Sequence, residues 1–90
     1  MAEYKILLKS PAAKEIEALG SKEDRRRIVE KIAGLAANPR SQKTEKLAGY
    51  DDRYRIRQGQ YRIVYLIDDS HREVTIFKVG HRKDVYRQVI

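Results

Sequence analysis

From Tyr54 to Val79 the chain holds three β-favouring runs separated by two short polar breaks, and this constrains its fold more than anything else in it. Tyr54-Arg55-Ile56-Arg57 alternates with period two. Gln58-Gly59 supplies a turn, and Tyr61-Arg62-Ile63-Val64-Tyr65-Leu66-Ile67 returns. Asp68-Asp69-Ser70 makes a second polar turn before Glu73-Val74-Thr75-Ile76-Phe77-Lys78-Val79. Connections this short join only antiparallel neighbours, so the second half predicts a three-stranded meander.

The first half reads differently. Glu3 to Lys9 is an opening strand, with Ile6-Leu7-Leu8 at its centre. Ser10-Pro11 predicts an N-cap followed by proline at the first helical position. Ala12, Ile16 and Leu19 then recur at helical spacing, and Gly20 ends the helix. Ser21 with Asp24 makes a capping box for a second helix, whose apolar stripe is Ile28, Ile32, Leu35 and Ala36. Asn38-Pro39 stops it. Arg40 to about Asp52 reads as a loop, and Lys83 to Ile90 as a short final helix. The order β-α-α-β-β-β-α predicts an α+β domain over residues 1–90, an antiparallel sheet with the helix hairpin packed on one face.

Ninety residues support one small core. The chain has no cysteine, which excludes disulfides and thiolate metal sites, and its two histidines, His71 and His81, stand too far apart in sequence to suggest zinc. Neither a metal nor another cofactor is expected. No apolar run is long enough for a signal peptide or a membrane span, so the expected location is the cytoplasm. The net charge is +7 and the pI about 9.8, a field that favours polyanions. No segment pairs a basic face with bulky aromatics, which argues against a membrane surface.

Placing a two-residue loop at Gln58-Gly59 pairs Arg57 with Gln60, Arg55 with Arg62 and Tyr54 with Ile63. Alternation then puts Arg55, Arg57 and Arg62 on one face and Tyr54, Ile56, Tyr61, Ile63 and Tyr65 on the other. The apolar face seats the helices. Like charges opposed on a sheet are destabilising, so three clustered arginines suggest an anion, and guanidinium matches phosphate. The competing account is a solvated face decorated with arginine for solubility. A second group follows the last strand: Gly80, where the backbone can bend, then His81, Arg82 and, four residues on, Tyr86. An aromatic beside arginines suits stacking on an unpaired base. Packing of a final helix accounts for Tyr86 equally simply, and a surface position for His81. His71, in a turn beside Asp68 and Asp69, is given no role.

These residues together resemble the RelE/ParE toxin superfamily. The likeness rests on Tyr54-Arg55-Ile56-Arg57, on Gly59-x-Tyr61-Arg62-Ile63-Val64-Tyr65, and on Val79-Gly80-His81-Arg82 followed by Asp84-Val85-Tyr86, with Lys46-Leu47-Ala48-Gly49 leading in. The resemblance implies the toxin of a type II toxin–antitoxin system, a metal-independent endoribonuclease that cleaves mRNA in the ribosomal A site. The 2′-hydroxyl would attack the adjacent phosphate. On this reading Arg55, Arg57 and Arg62 bind the phosphate, His81 or Arg82 assists proton transfer, and Tyr86 stacks on or orients the base. Arg55 and Arg57 stand where RelE itself has lysines, and His81 where it has another. Arginine is a poor general base, whereas imidazole titrates near neutrality.

The resemblance also implies partners: a cognate antitoxin, often in a toxin–antitoxin heterotetramer, together with the ribosome, its rRNA and mRNA. Two alternatives share the fold. One is a ParE-like toxin that inhibits DNA gyrase by binding, and the other an inactive member retained to bind its antitoxin. A general nucleic-acid-binding module accounts for the C-terminal group less well.

Overall fold

A computed structural model describes residues 3–40, 44–47, 49 and 52–81. Strand β1 (Lys5–Leu8) leads into helix α1 (Ser10–Glu17) and helix α2 (Lys22–Gly34). Four strands follow: β2 (Thr44–Lys46), β3 (Arg53–Gln58), β4 (Tyr61–Asp68) and β5 (Glu73–His81). They form one five-stranded sheet in the order β1-β5-β4-β3-β2. The α+β class is as the sequence predicts, but the sheet is mixed rather than antiparallel. β1 pairs parallel with β5, because the helix pair carries the chain across the sheet before the meander begins. The final helix expected over Lys83 to Ile90 lies outside the described residues.

The helices follow their signals, with small shifts. Lys9, not Ser10, is the extended cap residue of α1, and proline sits in the first turn. The helix ends at Glu17, short of Gly20. Ser21 caps α2 by accepting a hydrogen bond from the Asp24 amide at 3.2 Å. Ile28, Ile32 and Leu35 are buried as their spacing predicts, with Ala12 and Ile16 beside them from α1. Beneath the helices lie Tyr54, Ile56, Ile63, Tyr65, Ile67, Val74, Ile76 and Val79, all from one face of the sheet.

The loop expected from Arg40 to Asp52 contains a strand. Thr44–Lys46 adds antiparallel to β3, with Glu45 opposite Arg55. Three residues carry too little alternation to announce a strand, and what forms this one is pairing to β3. The β3–β4 turn also departs from expectation by one residue. Gly59 takes a φ of 62° while Gln60 keeps the ordinary negative φ, so the loop is Gly59-Gln60. A hairpin turn with glycine first needs positive φ only there, whereas a Gln58-Gly59 loop would have asked it of Gln58 as well. The observed pairs are therefore Arg57 with Arg62, Ile56 with Ile63, Arg55 with Val64 and Tyr54 with Tyr65. The expected pairing of Arg55 with Arg62 does not occur. Face membership is unchanged, because moving the loop by one residue shifts every cross-strand partner by two.

Two devices finish the sheet. Beyond Ile76, β5 has no strand beside it on the β1 side among the described residues, and α1 lies along that edge. There Glu15 accepts a hydrogen bond from the Val79 amide at 2.9 Å and pairs with Lys78, so the open edge is covered. At the other end of the sheet, Arg40 forks onto Asp69 at 2.8 and 3.0 Å, and the Tyr4 hydroxyl donates to Asp69 at 2.6 Å. Arg40 also lies over the Tyr54 ring, which stacks on Tyr65. The buried Tyr65 hydroxyl donates to the Pro39 carbonyl at 2.7 Å and lies 2.8 Å from the Thr44 hydroxyl. This network fastens the chain entering β2 to the sheet.

Candidate functional site

With both helices on one face, the opposite face of the meander carries no helix among the described residues. β3 delivers Arg53, Arg55 and Arg57 to it at alternate positions, and β4 delivers Arg62, Val64 and Leu66. Arg57 and Arg62 are directly opposed in register. Cross-strand neighbours have Cβ atoms about 4.5–5.5 Å apart, close enough for two guanidinium groups to take one phosphate between them.

Arg62 is the better buried of the pair. Its Nη1 is shielded from solvent and has no hydrogen-bond partner among the described residues. On its other side, the β5 residue in register is Gly80, which has no side chain. Arg62 therefore carries a shielded donor that nothing in the described chain satisfies. A buried unsatisfied donor costs about 1–3 kcal/mol, more when charged, and an incoming anion relieves that cost.

Arg55 is engaged differently. Its guanidinium donates to Glu45 at 3.0 Å, and its side chain is 27% exposed. Glu45 reaches it from β2, the strand that the sequence reading leaves as loop. Val64, the register partner of Arg55 on β4, is buried although it belongs to the open face. It lies between Arg55 and Lys78 on the flanking strands, whose aliphatic stems suit an apolar neighbour.

His81 is not brought to the arginines. It pairs in register with Tyr61, and the two rings meet edge to face with centroids 6.2 Å apart. That places the imidazole on the helix side, near Glu15 and Leu19, around a hollow of about 280 Å³. Arg82 and Tyr86 lie outside the described residues. His71 donates its backbone amide to Asp68 and holds the same carboxylate through its ring at 2.9 Å, closing the β4–β5 turn.

Arg53 also belongs to this face, and the sequence reading omitted it because it started the strand at Tyr54. Its guanidinium lies over the Phe77 ring, 5.4 Å from the centroid. The signal was present in the sequence: Arg53-x-Arg55-x-Arg57 is one continuous alternation. Among the described residues, no group of three or more His, Asp or Glu side chains is placed to hold a metal ion. No helix among them is long and apolar enough to cross a membrane.

A mixed five-stranded sheet with two helices on one face matches solved RelE-type structures. The isolated RelE toxin of Escherichia coli superposes with a TM-score of 0.75 at 31% identity, covering 94% of this chain and 93% of that one. The toxin–antitoxin complex RelBE2 of Mycobacterium tuberculosis gives 0.78 at 27% identity, over 89% of this chain and 99% of the matched chain. The RelE–RelB complex of Pyrococcus horikoshii gives 0.79 at 27%, over 90% and 97%. In sequence, a 32-residue segment is 53% identical to Toxin RelG of M. tuberculosis, spanning 36% of this chain and only 37% of that protein. The model of the ParE toxin of type II toxin–antitoxin systems matches residues 6–86. The chain belongs to that family, within the RelE/ParE toxin superfamily.

Proposed function

We propose that this toxin is a ribosome-dependent endoribonuclease whose open sheet face holds the scissile phosphate of mRNA in the ribosomal A site. The observation that carries the reading is the unsatisfied, shielded Nη1 of Arg62, directly across from Arg57 and beside Gly80. A phosphate seated there receives charge-assisted hydrogen bonds from both guanidinium groups. As the 2′-oxygen attacks phosphorus and the bond to the 5′-oxygen breaks, negative charge builds on the non-bridging oxygens. Arginines fixed on a sheet stabilise that charge without reorganising. The products are a 2′,3′-cyclic phosphate and a free 5′-hydroxyl.

Arg55 adds a third cation, moderated by Glu45. Proton transfer is assigned to His81 or Arg82, with His81 the weaker candidate because its ring stands with Tyr61 on the helix side. Tyr86 is assigned to stacking on the base. Alignment imposed by the ribosome supplies part of the rate enhancement. The partner that silences the toxin is a cognate antitoxin, as in the RelE–RelB complexes that the fold matches. A heterotetramer is the expected assembly.

Primer extension on a defined mRNA, in a purified translation system with ribosomes present or omitted, tests the reading. Cuts within codons that need ribosomes and vanish in Arg62→Ala support it. A folded, growth-inhibiting protein that makes no cuts overturns it. The match to the ParE family model favours one second reading, inhibition of DNA gyrase by binding, which a supercoiling assay decides.

A further inference from the structure

On the same open face, beyond Arg55, Phe77 and Arg53 meet in a second feature. Ile76 is buried in the core, so alternation brings Phe77 out on the arginine side. A bulge opposite Val64 and Tyr65 then resets the pattern, so that Val79 is buried again. The ring is only partly covered, and the Arg53 guanidinium lies over it. With Lys9, Leu66 and Thr75 these residues line an open hollow of about 480 Å³. Arg53 and Arg57 are four positions apart on one strand, roughly 13 Å. A continuous nucleic-acid strand bridges that distance within a few nucleotides.

We infer that Phe77 and Arg53 form a nucleobase-stacking subsite for the substrate strand, which runs across the sheet from the phosphate held by Arg57 and Arg62. This rests on the nuclease reading above and extends it from one phosphate to a path. The chemistry is suited to an unpaired base. An aromatic face accepts any base by stacking, and the adjacent guanidinium either stacks on the same base or takes its phosphate. Lys9 adds a cation on the β1 side of the hollow, and Arg55 joins the two ends of the path. Among the described residues, the carboxylates on this face are Glu45, held by Arg55, and at the strand ends Asp68, held by His71, and Glu73. Continuity with the Arg57–Arg62 pair, four positions along β3, selects single-stranded RNA leading from the scissile phosphate as the occupant.

The chain has no tryptophan, so Phe77→Trp introduces a single indole fluorophore at the subsite. The probe is a 2′-O-methyl oligoribonucleotide, which lacks the attacking hydroxyl and is not cut, prepared with an abasic position at each site in turn. Binding is expected to quench the indole emission of Phe77→Trp. One abasic position, or two adjacent ones, should abolish the quench and weaken binding about tenfold. Phe77→Leu, which keeps an apolar side chain, should lose the same factor and become insensitive to the abasic position. Unquenched indole emission in the presence of bound oligonucleotide, or wild-type binding indifferent to every abasic position, overturns the subsite. Quenching by ribosomes or by an antitoxin but not by the oligonucleotide also overturns it, by assigning the ring to another occupant. Absence of ribosome-dependent cleavage by the wild type, with the quench retained in Phe77→Trp, contradicts the nuclease reading alone.

Discussion

Arg57 and Arg62 face each other in register across the β3–β4 hairpin, two cations side by side where a sheet ordinarily avoids them. A like-charged cross-strand pair opposes folding, so the two demands on this site run in opposite directions. Arg57→Ala is expected to leave stability unchanged or raise it by a few tenths of a kcal/mol. The same substitution should slow cleavage of ribosome-bound mRNA at least about tenfold. Chemical denaturation and single-turnover kinetics on one preparation check both halves.

Glu45 on β2 already holds Arg55 across the sheet edge. Glu45→Gln removes that carboxylate's competition with RNA for the guanidinium. Binding of a single-stranded oligonucleotide should tighten, and its dependence on salt should steepen by up to about 0.7 in the log–log slope, the increment for one added phosphate contact. Titrations at several salt concentrations measure this. An unchanged slope would mean that Arg55 does not reach the strand.

His81 stands with Tyr61 rather than with the arginines. His81→Ala is therefore expected to reduce the cleavage rate less than tenfold, whereas Arg62→Ala should reduce it about a hundredfold or more, the scale seen when a charge-stabilising donor is removed. A pH–rate profile that loses one limb in His81→Ala would instead make the imidazole the proton-transfer group.

Two turn carboxylates predict how stability follows pH. The hydrogen bonds from Arg40 and Tyr4 hold Asp69 down at about 2, against an ordinary 3.8. A depressed carboxylate contributes stability that is full above its unfolded value and is lost as pH falls through the folded one, here between about 4 and about 2. Asp68 is also lowered, chiefly by its hydrogen bond to His71, and that pairing raises His71. The raised imidazole contributes below its unfolded value of 6.5, and that contribution is lost as pH rises through its folded value. The Asp68–His71 pair should thus help most between about 4 and 6.5. Denaturation midpoints across pH should lose the acid-side slope in Asp69→Asn and the neutral-side slope in His71→Gln.

In the core, Tyr65→Phe removes the hydroxyl that satisfies the Pro39 carbonyl and meets Thr44. The expected cost is about 1–3 kcal/mol, read as a lowered denaturation midpoint with an unchanged m-value.

Much of this fold is legible in the sequence because its repeating patterns are strong. The stripe Ile28, Ile32, Leu35 and the alternation around Ile56 and Ile63 specify which faces are buried, and they are buried. The arginine face survived an incorrect pairing, since shifting the hairpin loop by one residue conserves the side of every side chain. What escaped the sequence reading depends on partners far along the chain. β2 exists by virtue of pairing with β3, and the parallel seat of β1 beside β5 is a property of topology rather than of Ile6 or Leu7. The ion pair of Arg40 with Asp69 links residues 29 positions apart, and no local pattern announces it. Of the site, Arg57 meets Arg62, two residues beyond the Gln60 that the expected loop places opposite it. Glu45 lies in a segment whose sequence carries no strand pattern, and Arg53 stands one residue ahead of the expected start of its strand.

The most direct test of the central claim is the chemistry of the ends produced on ribosome-bound mRNA by wild type and by Arg62→Ala. The account predicts wild-type fragments with a 5′-hydroxyl that a polynucleotide kinase labels without prior phosphatase treatment, upstream fragments ending in a cyclic phosphate, and almost no fragments from Arg62→Ala. Fragments bearing 5′-phosphates, or a folded Arg62→Ala that cuts at the wild-type rate, would contradict it.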